Sequence, residues 1–249
     1  MTAPAHVVVL AAGRGSRLGA LGGATPKWLL SVGGRTLADR QLDGIALAGD
    51  RVASTSVVVG HAADAIEAEL SGRADDVRVI ANPEFAELNN WWSLLRALRE
   101  LPEDGPVAIL NADLLVAPEQ VSAFLEQAVA GEADGMLAVD LEKVLTDESM
   151  KVSVGPRGTL DAIGKVDIHD PVGEYVGMLF IRGGALRAVR EVLEGFVGRE
   201  DSFNEWYEGA VRVTAAAGTA WQVWAMPAGG WVEIDDDDDL EAAETLVGA

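Results

Sequence analysis

The sequence predicts a doubly wound α/β fold, a mostly parallel sheet covered by helices on both faces, with a small antiparallel insertion. Three observations predict it. Short apolar, β-branched runs alternate with amphipathic segments through the first half of the 249-residue chain. The first run opens into a loop of small residues, placed where such sheets bind ligands, beyond the carboxyl ends of the strands. After residue 135 strand-like runs follow one another closely, with turn residues such as Pro156-Arg157-Gly158 between them, which is antiparallel texture.

In chain order, strands over 6–10, 54–60, 77–80 and 107–110 form the parallel half, with helices over 36–47, 63–70, 92–100 and 118–129. Runs at 136–140, 150–154, 159–164 and 175–181 make the insertion, a lid over about residues 136–181 packed beside the main sheet. Helices near 185–193 and 203–216 and strands at 221–225 and 231–234 return to the core, and 241–247 closes the chain as a helix. The aspartates at 236–239 complement the dipole of that last helix from its N-cap and first turn. No low-complexity linker intervenes, so residues 1–249 read as one domain.

Composition removes several function classes. At 49% hydrophobic residues the chain builds a sizeable core. It has no cysteine, which excludes a disulfide framework, a thiolate metal site and a cysteine nucleophile. Its three histidines (His6, His61 and His169) are too scattered for a histidine metal site. A net charge of −21 argues against nucleic acid as a partner, because no basic surface offsets phosphate repulsion. The amino terminus lacks a basic region ahead of its short apolar run, so we expect neither a signal peptide nor a membrane span, and a cytoplasmic monomer or homodimer.

The chemistry starts at the first loop, Leu10-Ala11-Ala12-Gly13-Arg14-Gly15, followed by Arg17 and later by Thr25-Pro26-Lys27. Gly13 and Gly15 carry no Cβ, so their backbone N–H groups can approach an anion closely. Arg17 and Lys27 add cationic donors, and together these residues predict a nucleoside triphosphate clamp. The spacing fits neither of the common alternatives. A dinucleotide fingerprint requires glycine where Leu18 stands, and the lysine of a P-loop is missing at its distance. The stretch 21–24 is glycine-rich and suggests a mobile loop.

Acidic residues gather at two strand ends. Asn111-Ala112-Asp113 follows the fourth strand, and Trp231-Val232-Glu233-Ile234-Asp235 comes late in the chain. Carboxylates from two such places can hold Mg²⁺ while leaving positions open for substrate phosphates. Asn89-Asn90 and Ser93 sit at the start of a helix, where amides and a hydroxyl can read a pyrimidine edge or simply cap the helix. Trp91, Trp92, Trp206 and Tyr207, with Asp201 and Glu205 nearby, could build an aromatic, acidic box for a cationic group, or one or two of them pack a helix onto the sheet.

The run Leu10-Ala11-Ala12-Gly13-x-Gly15-x-Arg17-Leu18, with Pro26-Lys27-x-Leu29-Leu30, resembles the signature of the sugar-1-phosphate and small-headgroup nucleotidyltransferase superfamily. Asn89-Asn90-x-x-Ser93-Leu94, Glu148-x-x-Lys151-Val152 and Ile163-Gly164-Lys165 are similar to elements of its LicC-like phosphocholine and phosphonate cytidylyltransferases. The resemblance runs from Val7 to about Ala243 and implies a Rossmann-like nucleotidyltransferase fold. It implies transfer of CMP from CTP to the phosphate or phosphonate of a small acceptor, such as phosphocholine, an inositol phosphate or a phosphonate, with release of pyrophosphate. By the same resemblance Mg²⁺ falls to Asp113 and Asp235, with Glu233 as a further candidate, and the reacting phosphates to Arg17, Lys27, Lys151 and Lys165. Nucleotide binding falls to Leu10 through Gly15, Asn89, Asn90, Ser93, Asn111 and Ala112. The acceptor falls to Trp91, Trp92, Glu174, Tyr175, Gly177 and Trp206. Position 111 is asparagine where many relatives carry glycine or aspartate. Two alternatives stand beside this reading: a sugar-1-phosphate nucleotidyltransferase, and a nucleotide-binding module without catalysis.

Overall fold

A strand buried on both faces must be apolar on both, and β1 (Ala5–Ala11) is so from Val7 onward: Val7 and Val9 enter one apolar cluster and Val8 the other. The structure is a computed structural model and describes residues 2–15, 17–18, 25–73 and 76–248. The 21–24 stretch, expected to be a mobile loop, lies outside the described residues. A short hairpin, β2 (Ser31–Val32) and β3 (Arg35–Thr36), leads into helix α1 (Leu37–Leu47). Thr36 and Asp39 cap α1 reciprocally. There follow β4 (Val52–Val59), α2 (Ala63–Ser71), β5 (Val77–Ala81), α3 (Asn90–Glu100) and β6 (Val107–Asn111). β1 pairs in parallel with β4 and β6, and β4 with β5, so the parallel half reads β5-β4-β1-β6.

Beyond β6 come β7 (Leu114–Val116), α4 (Pro118–Ala130), β8 (Gly135–Asp140), β9 (Lys151–Val154), β10 (Leu160–Gly164) and β11 (Gly173–Ile181). The antiparallel run is present as expected, and it joins the same sheet edge to edge. One edge of β11 pairs with β8. Its other edge pairs with β9 near Gly173 and with β6 from Met178 to Ile181. Gly177 marks the switch between those partners: its φ is +86°, and a Cβ there would stand 2.9 Å from the side-chain nitrogen of Asn111.

The chain then forms α5 (Gly183–Phe196), α6 (Tyr207–Ala216), β12 (Trp221–Met226), β13 (Trp231–Glu233) and α7 (Asp237–Gly248). β12 extends the sheet by parallel pairing with β8. α1, α2, α4 and α7 cover one face, and α3, α5 and α6 the other. The helix expected over 203–216 begins only at Tyr207. The carbonyl of Phe203 accepts from the Asn89 N–H and that of Asn204 from the Asn89 side chain, so neither is left for a helical turn. At the start of α7, Asp236 accepts from the N–H groups of Asp238 and Asp239, while Asp239 accepts from those of Asp235 and Asp236. The aspartate run is thus largely a cap. No helix among the described residues is long and apolar enough to cross a membrane.

Candidate active site

Asp113 and Asp235 are far apart in sequence and are brought together by a two-stranded ribbon. β13 pairs antiparallel with β7, Glu233 opposite Leu114, and the Ile234 N–H donates to the Asp113 carbonyl at 2.9 Å. The carboxylates of Asp113, Glu233 and Asp235 consequently offer oxygens within 4.8 Å of one another. A second device fixes this turn from below. Gln41, fully buried on α1, accepts from the Trp28 indole at 3.0 Å and donates to the carbonyls of Asn111 and Leu114 at 3.0 and 2.9 Å. One side chain therefore couples the Lys27–Leu29 turn to the segment that presents Asp113. Gln41→Leu leaves two carbonyls and an indole N–H unpaired. We expect it to cost roughly 2–4 kcal/mol, read as a lowered midpoint in denaturant unfolding.

The cations meet the carboxylates directly. The Lys27 ammonium donates to Asp113 at 3.0 Å and also bonds to Asp235, whose other oxygen takes Arg17 at 2.7 Å. Burial works against the charge of Lys27, and the two aspartates outweigh it, so its pKa is raised. Burial pushes Asp235 up, but Lys27 and Arg17 pull it below its ordinary value. Asp113 keeps one buried oxygen with no donor. Three clustered carboxylates, with that Asp113 oxygen unclaimed by any donor, form a hard donor set that fits Mg²⁺. Glu233, with no cation bonded to it, is pushed up to about 8 by loss of hydration and by the charges of Asp113 and Asp235. Solvent reaches it through the cleft, while protein surrounds it on its other sides.

These groups open onto a cleft of about 550 Å³ at the carboxyl ends of β1 and β6. Of the residues expected from sequence, Leu10, Ala12, Gly13, Arg17, Asn89, Asn90, Ser93, Asn111, Asp113, Lys165, Glu174, Tyr175, Gly177, Trp206, Glu233 and Asp235 line it. Ala11, Gly15, Lys27 and Ala112 line an adjoining hollow of about 100 Å³. Four expected residues lie in neither. Trp91 is only 1% exposed, wedged against Phe196 in the core. Trp92 turns back to donate to Glu84 at 3.0 Å and packs beside Arg99. Arg14 lies over the Phe85 ring, and Lys151 donates to the Lys165 carbonyl at 2.8 Å. Of the rings expected to form an aromatic box, only Trp206 lines the cleft: Trp91 and Tyr207 are buried in the core, and Trp92 packs beside Arg99.

Other expected residues are held in particular states. Asn89 caps α3 through the Asn90 N–H, as the simpler reading had it. The Asn90 oxygen accepts from the Tyr207 N–H at 2.9 Å. Asn111 accepts from the Tyr207 hydroxyl at 3.0 Å, which pairs in turn with that of Tyr175 at 2.7 Å. Glu174 is buried and takes the Ser149 hydroxyl at 3.0 Å and Lys143 at 3.1 Å, so it ties down the loop ahead of β9. Lining residues to which the sequence reading gave no role include Lys143, Glu148 and Glu208.

Glu208 is the most unusual of these. It lines the cleft in the first turn of α6, is 6% exposed, and has a buried Oε2 with no partner. Lost hydration, with a smaller push from the charge of Asp113, raises its pKa to about 7. A carboxyl whose folded pKa lies above its unfolded value favours folding most at low pH. That advantage is fully present below the ordinary value of 4.5 and fades as pH rises through about 7. Glu208→Gln should therefore match the wild type near pH 4.5 and exceed it by roughly 1–3 kcal/mol near pH 8, as measured by denaturant titration across that range.

Comparison with known proteins finds relatives along most of the chain. The model of the MobA-like NTP transferase domain matches residues 7–202. A CMP-5'-(3-aminopropyl)phosphonate synthase of Streptomyces rubellomurinus is 31% identical over 97% of this chain and 38% of its own length. A bifunctional protein GlmU of a Polaromonas species is 30% identical over 82% of this chain and 44% of its own. This chain thus spans less than half the length of either relative. The phosphocholine cytidylyltransferase LicC of Streptococcus pneumoniae superposes with a TM-score of 0.76 at 17% identity, covering 99% of this chain and all of that one.

Proposed function

The chain belongs to the MobA-like NTP transferase family, and from that premise we propose that it transfers CMP from CTP to a phosphonate or phosphate oxygen of a small acceptor with a cationic end. The observation that carries this reading is the cluster of Asp113, Glu233 and Asp235 with Lys27 and Arg17 bonded into it beside the glycine loop. Mg²⁺ held there by the aspartates would neutralise phosphate charge. An acceptor oxygen attacks the α-phosphorus, a new P–O bond forms, and the bond to pyrophosphate breaks with its electron pair. Phosphate and phosphonate oxygens are already ionised near neutral pH, so no side chain has to remove a proton. Arg17 and Lys27 take charge building on the departing pyrophosphate, while Lys165 faces the acceptor's anionic end. Gly13 and Gly15 let the backbone approach the phosphates.

The name of the Streptomyces relative supports the choice of CTP and of an aminoalkylphosphonate. Within the cleft, Glu208 suits the ammonium group of such an acceptor by its charge, while the face of the Trp206 ring is taken by Lys165, 5.4 Å from the ring centre. Similarity to the GlmU protein supports a second reading, nucleotidyl transfer to a sugar phosphate. Pyrophosphate release separates them when CTP, UTP, dTTP, ATP and GTP are each crossed with 2-aminoethylphosphonate, 3-aminopropylphosphonate, phosphocholine, inositol-1-phosphate and glucose-1-phosphate. We expect release with CTP and an amine-bearing acceptor. Release confined to glucose-1-phosphate would replace this reading with the second.

A further inference from the structure

The position of Lys27 has a consequence beyond phosphate binding. Its ammonium sits between Asp113 and Asp235, bonded to both, with a side chain only 15% exposed. That place is built for it. Gly15 has a φ of +58°, and a Cβ there would stand 3.1 Å from the Lys27 Cγ, so the loop leaves room for the lysine stem beneath it. Arg17 occupies the second oxygen of Asp235. In this state the carboxylates that would hold a divalent cation are already neutralised from within.

We propose that Lys27 is a tethered stand-in for the divalent cation, which makes metal entry dependent on nucleotide. The proposal rests on the metal site described above. A divalent ion arriving alone finds one free oxygen on Asp113 but both oxygens of Asp235 taken. To use both aspartates it must displace Lys27 or Arg17 from Asp235 and then remain beside the ammonium's positive charge. A triphosphate supplies the ammonium with another partner. Once Lys27 and Arg17 turn to phosphate oxygens, Asp113 and Asp235 are released to the metal. Linkage requires the reverse as well, so metal must strengthen nucleotide binding by the same factor. The exchange keeps the carboxylates neutralised in both states, and it holds a metal only when there is a substrate to use it.

The test is direct Mn²⁺ binding, followed by electron paramagnetic resonance with and without CTP and with no acceptor present. Wild type should bind Mn²⁺ weakly alone and more tightly with CTP. Lys27→Met should bind Mn²⁺ more tightly than wild type in the absence of CTP, on the order of tenfold, and CTP should add much less. Lys27→Arg, which keeps the charge, should stay close to wild type. Arg17→Met should change Mn²⁺ affinity less than Lys27→Met, since Arg17 touches Asp235 only and is 57% exposed. Circular dichroism confirms that each variant is folded. Unchanged or weaker Mn²⁺ binding by Lys27→Met, with Asp113→Asn still abolishing the CTP-dependent site, would overturn the proposal and leave the nucleotidyl transfer reading standing. Absence of Mn²⁺ binding by any form, with or without CTP, would remove the metal site and the proposal together.

Discussion

Asp113→Ala is expected to lower CMP transfer on the order of a thousandfold while leaving the fold intact. Fold and chemistry separate here for a specific reason. What Asp113 gives the fold is its backbone: its carbonyl receives the Ile234 N–H and seats β13 against β7, which alanine preserves. What it gives the site is a carboxylate, with one oxygen bonded to Lys27 and the other buried without a donor. Removing an unpaired buried oxygen costs no hydrogen bond, and Lys27 keeps Asp235 as a partner. Pyrophosphate release measures the first effect and thermal unfolding the second. A loss of less than tenfold would take Asp113 out of the metal site. A large fall in melting temperature would show that its carboxylate serves the fold.

The parts of this site legible in the sequence were those set by strand ends. A β-branched run opening into glycines marks the end of β1, and the same logic placed Asp113 after β6 and Asp235 after β13. Side-chain direction was less legible. Lys151 and Lys143 lie on either side of one loop, yet only Lys143 reaches the cleft, because pairing with β11 and β10 turns Lys151 toward the Lys165 carbonyl. Trp91 and Trp206 have similar neighbours in sequence. One is buried on the core side of α3, while the other stands before α6, where the chain is held out by Asn89. Gln41 and Glu208 left no signal, as a single polar residue in an amphipathic helix reads as solvent-facing until the partner elements are known.

The acidity of the chain also finds its place. With a net charge of −21, a polyanion meets repulsion over most of the surface. Arg17, Lys143 and Lys165 nevertheless line one cleft, with Lys27 in the hollow beside it. The acidic exterior and the few cations gathered at the site together favour an anion small enough to reach them, among eight carboxylates that line the same cleft. They disfavour a long polyanion that would have to lie along the surface. Affinity for nucleotide should accordingly fall only modestly with salt, because most of the attraction is made at short range inside the cleft.

Glu208→Gln is expected to raise KM for an aminoalkylphosphonate by roughly 10- to 100-fold while changing KM for CTP little. The carboxyl is buried at the cleft wall with an unpartnered oxygen, and it is held half-protonated near neutrality. An ammonium group arriving there repays the cost of ionising it, and the burial of the carboxyl strengthens the pair. Glutamine keeps the shape and one acceptor but loses the charge. A substrate without an amine gains nothing from the carboxylate, so an alkylphosphonate of equal length should show the same KM with both enzymes. Binding of the amine near pH 7 should release a proton in the wild type alone, which calorimetry in buffers of different ionisation enthalpy detects. Equal losses for both acceptors would make Glu208 a support of the cleft wall. A loss confined to the amine, with its proton, would assign the cationic end of the acceptor to the first turn of α6.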